Sequence, residues 1–334
     1  MTARYEAAHD NTDGPGDARP TAMQIIKDEG LIGKLEGKVF LITGANSGIG
    51  VETARAIHAT GADVYMTSRN LENGQKVASE IMASNSGSKG KIDVLKLQLD
   101  SLQSVRECAA DFLSRSKRLN VLINNAGVMA CPESKTKDGF ETQFGTNHVG
   151  HFLLFQLLKP TLLASSTPDY NSRVVILSSS AHKRSTAQLD DLDFSKRGYD
   201  PWTAYGQSKT ANIWMATEIE RRYGSQGLHA TAVHPGGIMT ALQRHMDPAV
   251  QQKMLGPMAK RMKSTEQGAA TTVWAATARQ WEGHGGKFLE DCSISKPFDP
   301  AVNDMLMGHA PHAYSPDSAR ELWDLSNKLA GTSD

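Results

Sequence analysis

Tyr205 and Lys209 stand four positions apart in the run Tyr205-Gly206-Gln207-Ser208-Lys209. On an α-helix that spacing sets both side chains on one face, one turn from each other. A free phenol titrates near pH ~10, and lowering its pKa by one costs about 1.4 kcal/mol, so it exchanges protons near neutrality only with help. A neighbouring ammonium favours the phenolate and supplies that help. The pair therefore suits general acid–base work on a carbonyl or alcohol oxygen. An amphipathic helix surface also carries such pairs, so the chemistry depends on partners elsewhere. Two candidates lie upstream: the triplet Ser178-Ser179-Ser180, whose hydroxyls could orient a substrate oxygen, and Asn147. A nucleophilic serine would need a G-x-S-x-G elbow, and none surrounds the triplet.

The elements that must position these groups alternate along the chain. Val39 to Ile42 is a continuous apolar run, as expected of a strand buried on both faces. A helix is predicted after Gly48. Strands are predicted at Val64–Met66, Val94–Leu97, Val121–Ile123, Arg173–Leu177 and His229–Val233. Between them fall helices at Leu71–Met82, Ser101–Ser116, Asp138–Leu163 and Trp202–Tyr223. Such alternation predicts an α/β fold, a doubly wound parallel sheet of about seven strands with helices on both faces, in the single-domain Rossmann form. Residues 1–20 read as a flexible tail and 21–36 as a short docking helix, leaving 36–334 as one domain. Met239, Met246, Met254, Met258 and Met262 crowd the stretch after the sixth strand. They fit ordinary helix packing, or an adaptable lid around 238–265 over an apolar ligand.

Lys+Arg and Asp+Glu both number 36, so the formal net charge is zero and nothing draws the chain to nucleic acid. Three widely spaced cysteines suggest neither a disulfide framework nor a zinc site. No secretory leader is visible, and Phe152 to Leu158 is too short to span a bilayer. A cytoplasmic protein is expected. His148 and His151 have helical spacing, but no third ligand accompanies them, so no metal is expected.

Thr43-Gly44-Ala45-Asn46-Ser47-Gly48-Ile49-Gly50 sits between the first strand and first helix. Glycines there permit a tight turn and close backbone approach, and the helix N-terminus offers N–H groups to a pyrophosphate. This loop, with Asn124-Asn125-Ala126-Gly127, Asn147, the serine triplet, Tyr205 to Lys209 and Pro235-Gly236 in that order, resembles the classical short-chain dehydrogenase/reductase family. Phe140-Glu141, Asn147 to Phe152, Ala181-His182 and Asp291-Cys292 are similar to its retinol dehydrogenase and WW-domain oxidoreductase subgroup, as is the stretch Ala319 to Leu329, which looks like that subgroup's last helix.

The resemblance implies a nicotinamide dinucleotide, hydride exchange with the carbonyl or alcohol of a small, apolar molecule, and a homo-oligomer such as family members often form. It implies Asn147, Ser179, Tyr205 and Lys209 as the catalytic set, Ser178 and Ser180 remaining rivals to Ser179. Asn147 would hold a water that links Lys209 to solvent. The implied cofactor contacts are Gly44, Ser47, Gly48, Ile49, Gly50, Asn125, Ala126, Tyr205, Lys209, Pro235, Ile238 and Thr240. Asp100 would meet the adenine, although Asp is equally suited to cap the next helix. An NAD enzyme places a carboxylate at the end of the second strand for the ribose 2′-OH. Here Ser68 stands there and Arg69 follows, which favours NADP(H) through a guanidinium–phosphate pair. The rival reading is a dinucleotide-binding sensor or scaffold without turnover, which would be expected to have lost part of the catalytic set.

Overall fold

The computed structural model describes residues 4–247, 249, 251–252, 256, 258–301 and 306–334. Met254 and parts of the 238–265 stretch lie outside them. The described residues build one eight-stranded sheet in the order β3-β2-β1-β4-β5-β6-β7-β8. The strands are β1 Val39–Ile42, β2 Asp63–Ser68, β3 Ile92–Lys96, β4 Val121–Asn124, β5 Ser172–Leu177, β6 Leu228–His234, β7 Lys287–Glu290 and β8 Ser293–Ile294. All neighbours run parallel except β7 and β8. The helices are α1 Glu6–Asp10, α2 Ala22–Asp28, α3 Ile49–Ala59, α4 Leu71–Ser84, α5 Leu102–Arg115, α6 Thr142–Phe144, α7 Gly150–Ser165, α8 Pro201–Tyr223, α9 Thr265–Gly268, α10 Ala270–Thr277 and α11 Pro316–Ala330.

Alternate strand residues feed two cores. Leu41, Leu122, Val174 and Ala232 pack with Phe152, Phe155 and Trp214 on one face. Phe40, Ile123, Val175 and Val233 pack with Ile57, Val273 and Trp274 on the other. Burying each of the larger of these side chains contributes about 1.5–3 kcal/mol, and β1 is apolar at all four positions because both of its faces are covered. Local chemistry sets the helix starts. The side chains of Asn70, Ser101 and Asp200 accept from the backbone N–H three residues on, capping α4, α5 and α8. No helix among the described residues is long and apolar enough to cross a membrane.

Two segments depart from the sequence reading. The tail is packed from Tyr5 onward: Tyr5 and Arg19 are buried. Arg19 pairs with Asp17 at 2.8 Å and donates to the carbonyls of Arg261 and Met262 at 2.9 and 2.6 Å. Its polar composition reads as solvated, but Arg19 reaches carbonyls 242 and 243 residues away. The predicted helix 138–163 is also interrupted. Its first turn starts at Thr142, where the Glu141 carboxylate accepts from Gln143 N and Phe144 N at 2.8 and 2.6 Å. Gly145–Val149 then forms a π-turn before α7.

Candidate active site

The C-terminal ends of β1, β2, β4, β5 and β6 open onto one cavity of about 630 Å³. Open α/β sheets hold their ligands at this edge. Gly44, Ser47, Gly48, Ile49, Arg69, Asp100, Asn125, Ala126, Ser179, Tyr205, Lys209, Pro235, Ile238 and Thr240 all line it. Asn147 and Gly50 do not, and each does something else.

Gly48 is the N-cap of α3 at φ +58°, ψ −140°, a conformation for glycine alone, and no side chain caps the helix. Of the first-turn N–H groups, that of Val51 donates to Gly48 O at 3.3 Å, and a helix start leaves the others for an anion. Gly50 lies behind the turn. A β-carbon there would sit 2.5 Å from Gly44 O and 2.7 Å from Asn125 Nδ2, so its role is close packing of helix on loop rather than ligand contact. Asn125 Nδ2 donates to Thr43 O at 2.8 Å, and Thr43 Oγ1 accepts from Asn125 N and Ala126 N at 2.9 Å each, locking the loop to β4.

At the end of β2, Ser68 Oγ donates to Asn70 O at 2.6 Å and is occupied. Arg69 beside it is exposed and lines the cavity. The α5 cap is Ser101, not Asp100, whose neighbouring position on the cavity wall stays open to a ligand. A helix start without a side-chain cap, glycines that admit a backbone-close ligand and an exposed guanidinium, with no ion pair among the described residues, together fit a dinucleotide.

The triplet of serines divides sharply. Ser178 Oγ donates to Lys209 O at 2.7 Å and is buried. Ser180 N donates to His234 Nδ1 at 3.3 Å. Ser179 alone reaches Tyr205, through a side-chain hydrogen bond. Burial pushes the Tyr205 phenol up to about 12, and the Ser179 bond pulls the other way. Burial pushes Lys209 down to about 7, and its Nζ donates to Leu177 O at 3.0 Å. Burial therefore opposes ionisation of both groups. Desolvation outweighs a lysine engaged with a carbonyl.

Asn147 is fully buried in the π-turn. Its Oδ1 accepts from Val128 N at 2.8 Å, and its Nδ2 donates to Val128 O and to Ser208 Oγ at 2.9 Å each. A β-carbon on Gly127 would meet Asn147 Oδ1 at 3.2 Å and Lys209 Nζ at 3.6 Å, so both flank that glycine. His151 Nδ1 lies 3.0 Å from the Asn147 carbonyl, and its Nε2 lies 2.9 Å from Thr43 Oγ1. His148 Nε2 lies 2.8 Å from Ser326 Oγ, so the two histidines serve different neighbours.

The family model described as short chain dehydrogenase matches residues 38–251. The chain belongs to the short-chain dehydrogenase family. It is 49% identical over 333 residues to short-chain dehydrogenase/reductase prx1 of Penicillium roqueforti, covering 99% of this chain and 96% of that one. It is 41% identical to retinol dehydrogenase 12 of Mus musculus, covering 89% and 88%. A Pseudomonas aeruginosa structure described as an RhlG/NADP active-site complex superposes with a TM-score of 0.63 at 25% identity, over 78% of this chain and 96% of that one. A Mycobacterium paratuberculosis protein does so with a TM-score of 0.66 at 34% identity, over 89% and 94%. This short-chain dehydrogenase is accordingly an oxidoreductase of the retinol-dehydrogenase-like group.

Several site residues of this short-chain dehydrogenase escaped the sequence reading. Met129 and Ala130 pack on Tyr205, joined by Trp202 and Leu242 and by Met246, which the sequence reading had already placed in the methionine-rich stretch. Trp202 stands one helical turn before Tyr205, with ring centroids 6.3 Å apart, a spacing that could have flagged it. Met129 and Ala130 lie in an irregular loop, and no periodicity marks them. Met239, Met246, Met258 and Met262 all line the cavity, together with Leu306 from far along the chain.

Proposed function

We propose that this short-chain dehydrogenase uses NADP(H) to reduce the carbonyl of an apolar small molecule, with Tyr205 as proton donor. The observation that carries this reading is a buried phenol among Met129, Trp202, Leu242 and Met246, with Ser179 beside it, in the same cavity as the glycine loop. A nicotinamide bound there supplies the hydride in reduction, or accepts it in oxidation. Ser179 donates a hydrogen bond to the substrate oxygen and holds it against Tyr205, and Tyr205 delivers the proton. Lys209 sits one turn below, and Asn147 secures the loop from Gly127 to Val128 beneath it. The methionine-lined wall adapts to apolar shapes and excludes water. By its name, retinol dehydrogenase 12 acts on retinol, an apolar alcohol, and the RhlG complex contains NADP; both agree with this reading.

The test is turnover of purified protein with NADPH across a panel of apolar aldehydes and ketones, followed at the nicotinamide absorbance. Tyr205→Phe should lower kcat by about 10²–10⁴-fold, the usual worth of a general acid. NADPH fluorescence titration should show binding retained. Undiminished turnover by a folded Tyr205→Phe variant would refute the assignment.

A further inference from the structure

His182 follows Ser179 by three residues and takes no part in the proton transfer. Its ring is buried and bound at both ends: Nδ1 lies 2.7 Å from the Ser179 carbonyl, and Nε2 accepts from Ala310 N at 3.1 Å. A carbonyl only accepts and a backbone amide only donates, so the proton resides on Nδ1 and Nε2 is bare. Only the neutral ring in this tautomer satisfies both partners. Burial keeps it neutral by holding the imidazole down to about 4. The His182 main-chain carbonyl lies 2.9 Å from His312 Nε2 and 3.2 Å from Thr210 Oγ1, whose proton goes to Ser185 O at 2.7 Å. Thr210 adjoins Lys209 on α8. One residue thus joins the serine turn, the helix bearing Tyr205 and Lys209, and the distant segment 309–312.

Ser179 depends on that turn. Its Oγ accepts from Ala181 N at 3.1 Å, which leaves the hydroxyl proton to be given away. Its carbonyl accepts from His182 N at 3.1 Å as well as from the ring. Losing the ring from this carbonyl would loosen the turn whose Ala181 N–H holds Oγ.

We propose that His182 is a positioning residue: clamped between Ser179 and Ala310, it fixes the direction of the Ser179 hydroxyl and makes segment 309–312 part of the catalytic apparatus. This inference rests on the acid–base reading of Ser179 and Tyr205 given above.

The experiment is steady-state kinetics with NADPH and the best carbonyl of the panel, on wild type, Ser179→Ala, His182→Phe, His182→Asn and the Ser179→Ala/His182→Phe double variant. His182→Phe should lower kcat by about tenfold to a hundredfold, as expected for a displacement of about 1 Å in a reacting group, with KM for NADPH unchanged. His182→Asn keeps an amide donor near the Nδ1 position and should recover part of the loss. In the Ser179→Ala background His182→Phe should cost little more, because both act through one hydroxyl. If His182→Phe does not fold, the same cycle is run with His182→Asn, whose smaller loss should likewise vanish in the Ser179→Ala background. Equal factors in both backgrounds, an unchanged kcat, or an asparagine no better than phenylalanine overturns the inference. Turnover that Ser179→Ala lowers but His182 variants do not overturns this inference alone. No wild-type turnover, or turnover indifferent to Ser179→Ala, overturns the reading beneath it as well.

Discussion

Asn147 is joined to Ser208: its Nδ2 donates to Ser208 Oγ at 2.9 Å, and that hydroxyl donates on to the Tyr205 carbonyl at 2.8 Å. The π-turn and the helix carrying the phenol are thereby tied to each other through a buried hydroxyl oxygen. Ser208→Ala removes the oxygen and leaves one N–H of Asn147 without a partner, at a cost of about 1–3 kcal/mol. A lower melting temperature and a lower kcat, with NADPH affinity intact, are expected from calorimetry and kinetics. An unchanged kcat would show that the tie does not position the phenol.

The proposed preference for NADP(H) turns on Arg69. Its guanidinium has no ion pair or hydrogen bond among the described residues and follows Ser68, which stands where a carboxylate would select NAD. Arg69→Ala should weaken NADPH binding by about tenfold to a hundredfold, matching ~1.5–3 kcal/mol for hydrogen bonds to a charged group. NADH binding should not change. Equal losses for both cofactors, measured by fluorescence titration, would remove the argument for a 2′-phosphate contact.

Gly50 tests the loop from behind. Gly50→Ala places a methyl 2.5 Å from Gly44 O, and backbone cannot yield as a flexible side chain can. Overpacking of this kind costs about 1–3 kcal/mol. The strain falls on the turn that leads into α3, so NADPH affinity should drop along with thermal stability. Affinity equal to wild type would mean that the loop relaxes without moving its N–H groups.

Acid should unfold this protein through its buried imidazoles. Burial holds His148 and His234 down to about 3, and His151 and His182 down to about 4. In the unfolded chain histidine titrates near ~6.5. Between these values the unfolded state binds more protons, so stability is full above pH ~6.5 and falls as pH drops toward the folded values. Each histidine contributes a slope of up to about 1.4 kcal/mol per pH unit in that window. Melting temperatures should fall steeply from pH 7 to pH 5, and a flat profile over that range would contradict the neutral, buried assignment.

The parallel sheet and its order of motifs were legible because strand burial and helix amphipathicity are local patterns. Val39 to Ile42 is a strand in the chain and in the fold alike. Tyr205 and Lys209, four apart, needed only helical geometry to be paired. The lysine's effect on the phenol was not legible: Lys209 turns to Leu177 O, and burial dominates both groups. Nor did the residue types distinguish Ser179 from its neighbours. Three identical hydroxyls in a row are separated only by direction, which the strand end, Lys209 O and His234 impose from distant parts of the chain. The π-turn at Asn147 leaves no trace in periodicity, because Val128 and Ser208 hold it by hydrogen bonds across 19 and 61 residues. The sequence by itself determined which groups could do the chemistry and which elements carry them, since both follow from composition at short range. Only the tertiary structure decided which way those groups point and how burial sets their protonation, since both depend on contacts between segments far apart in the chain.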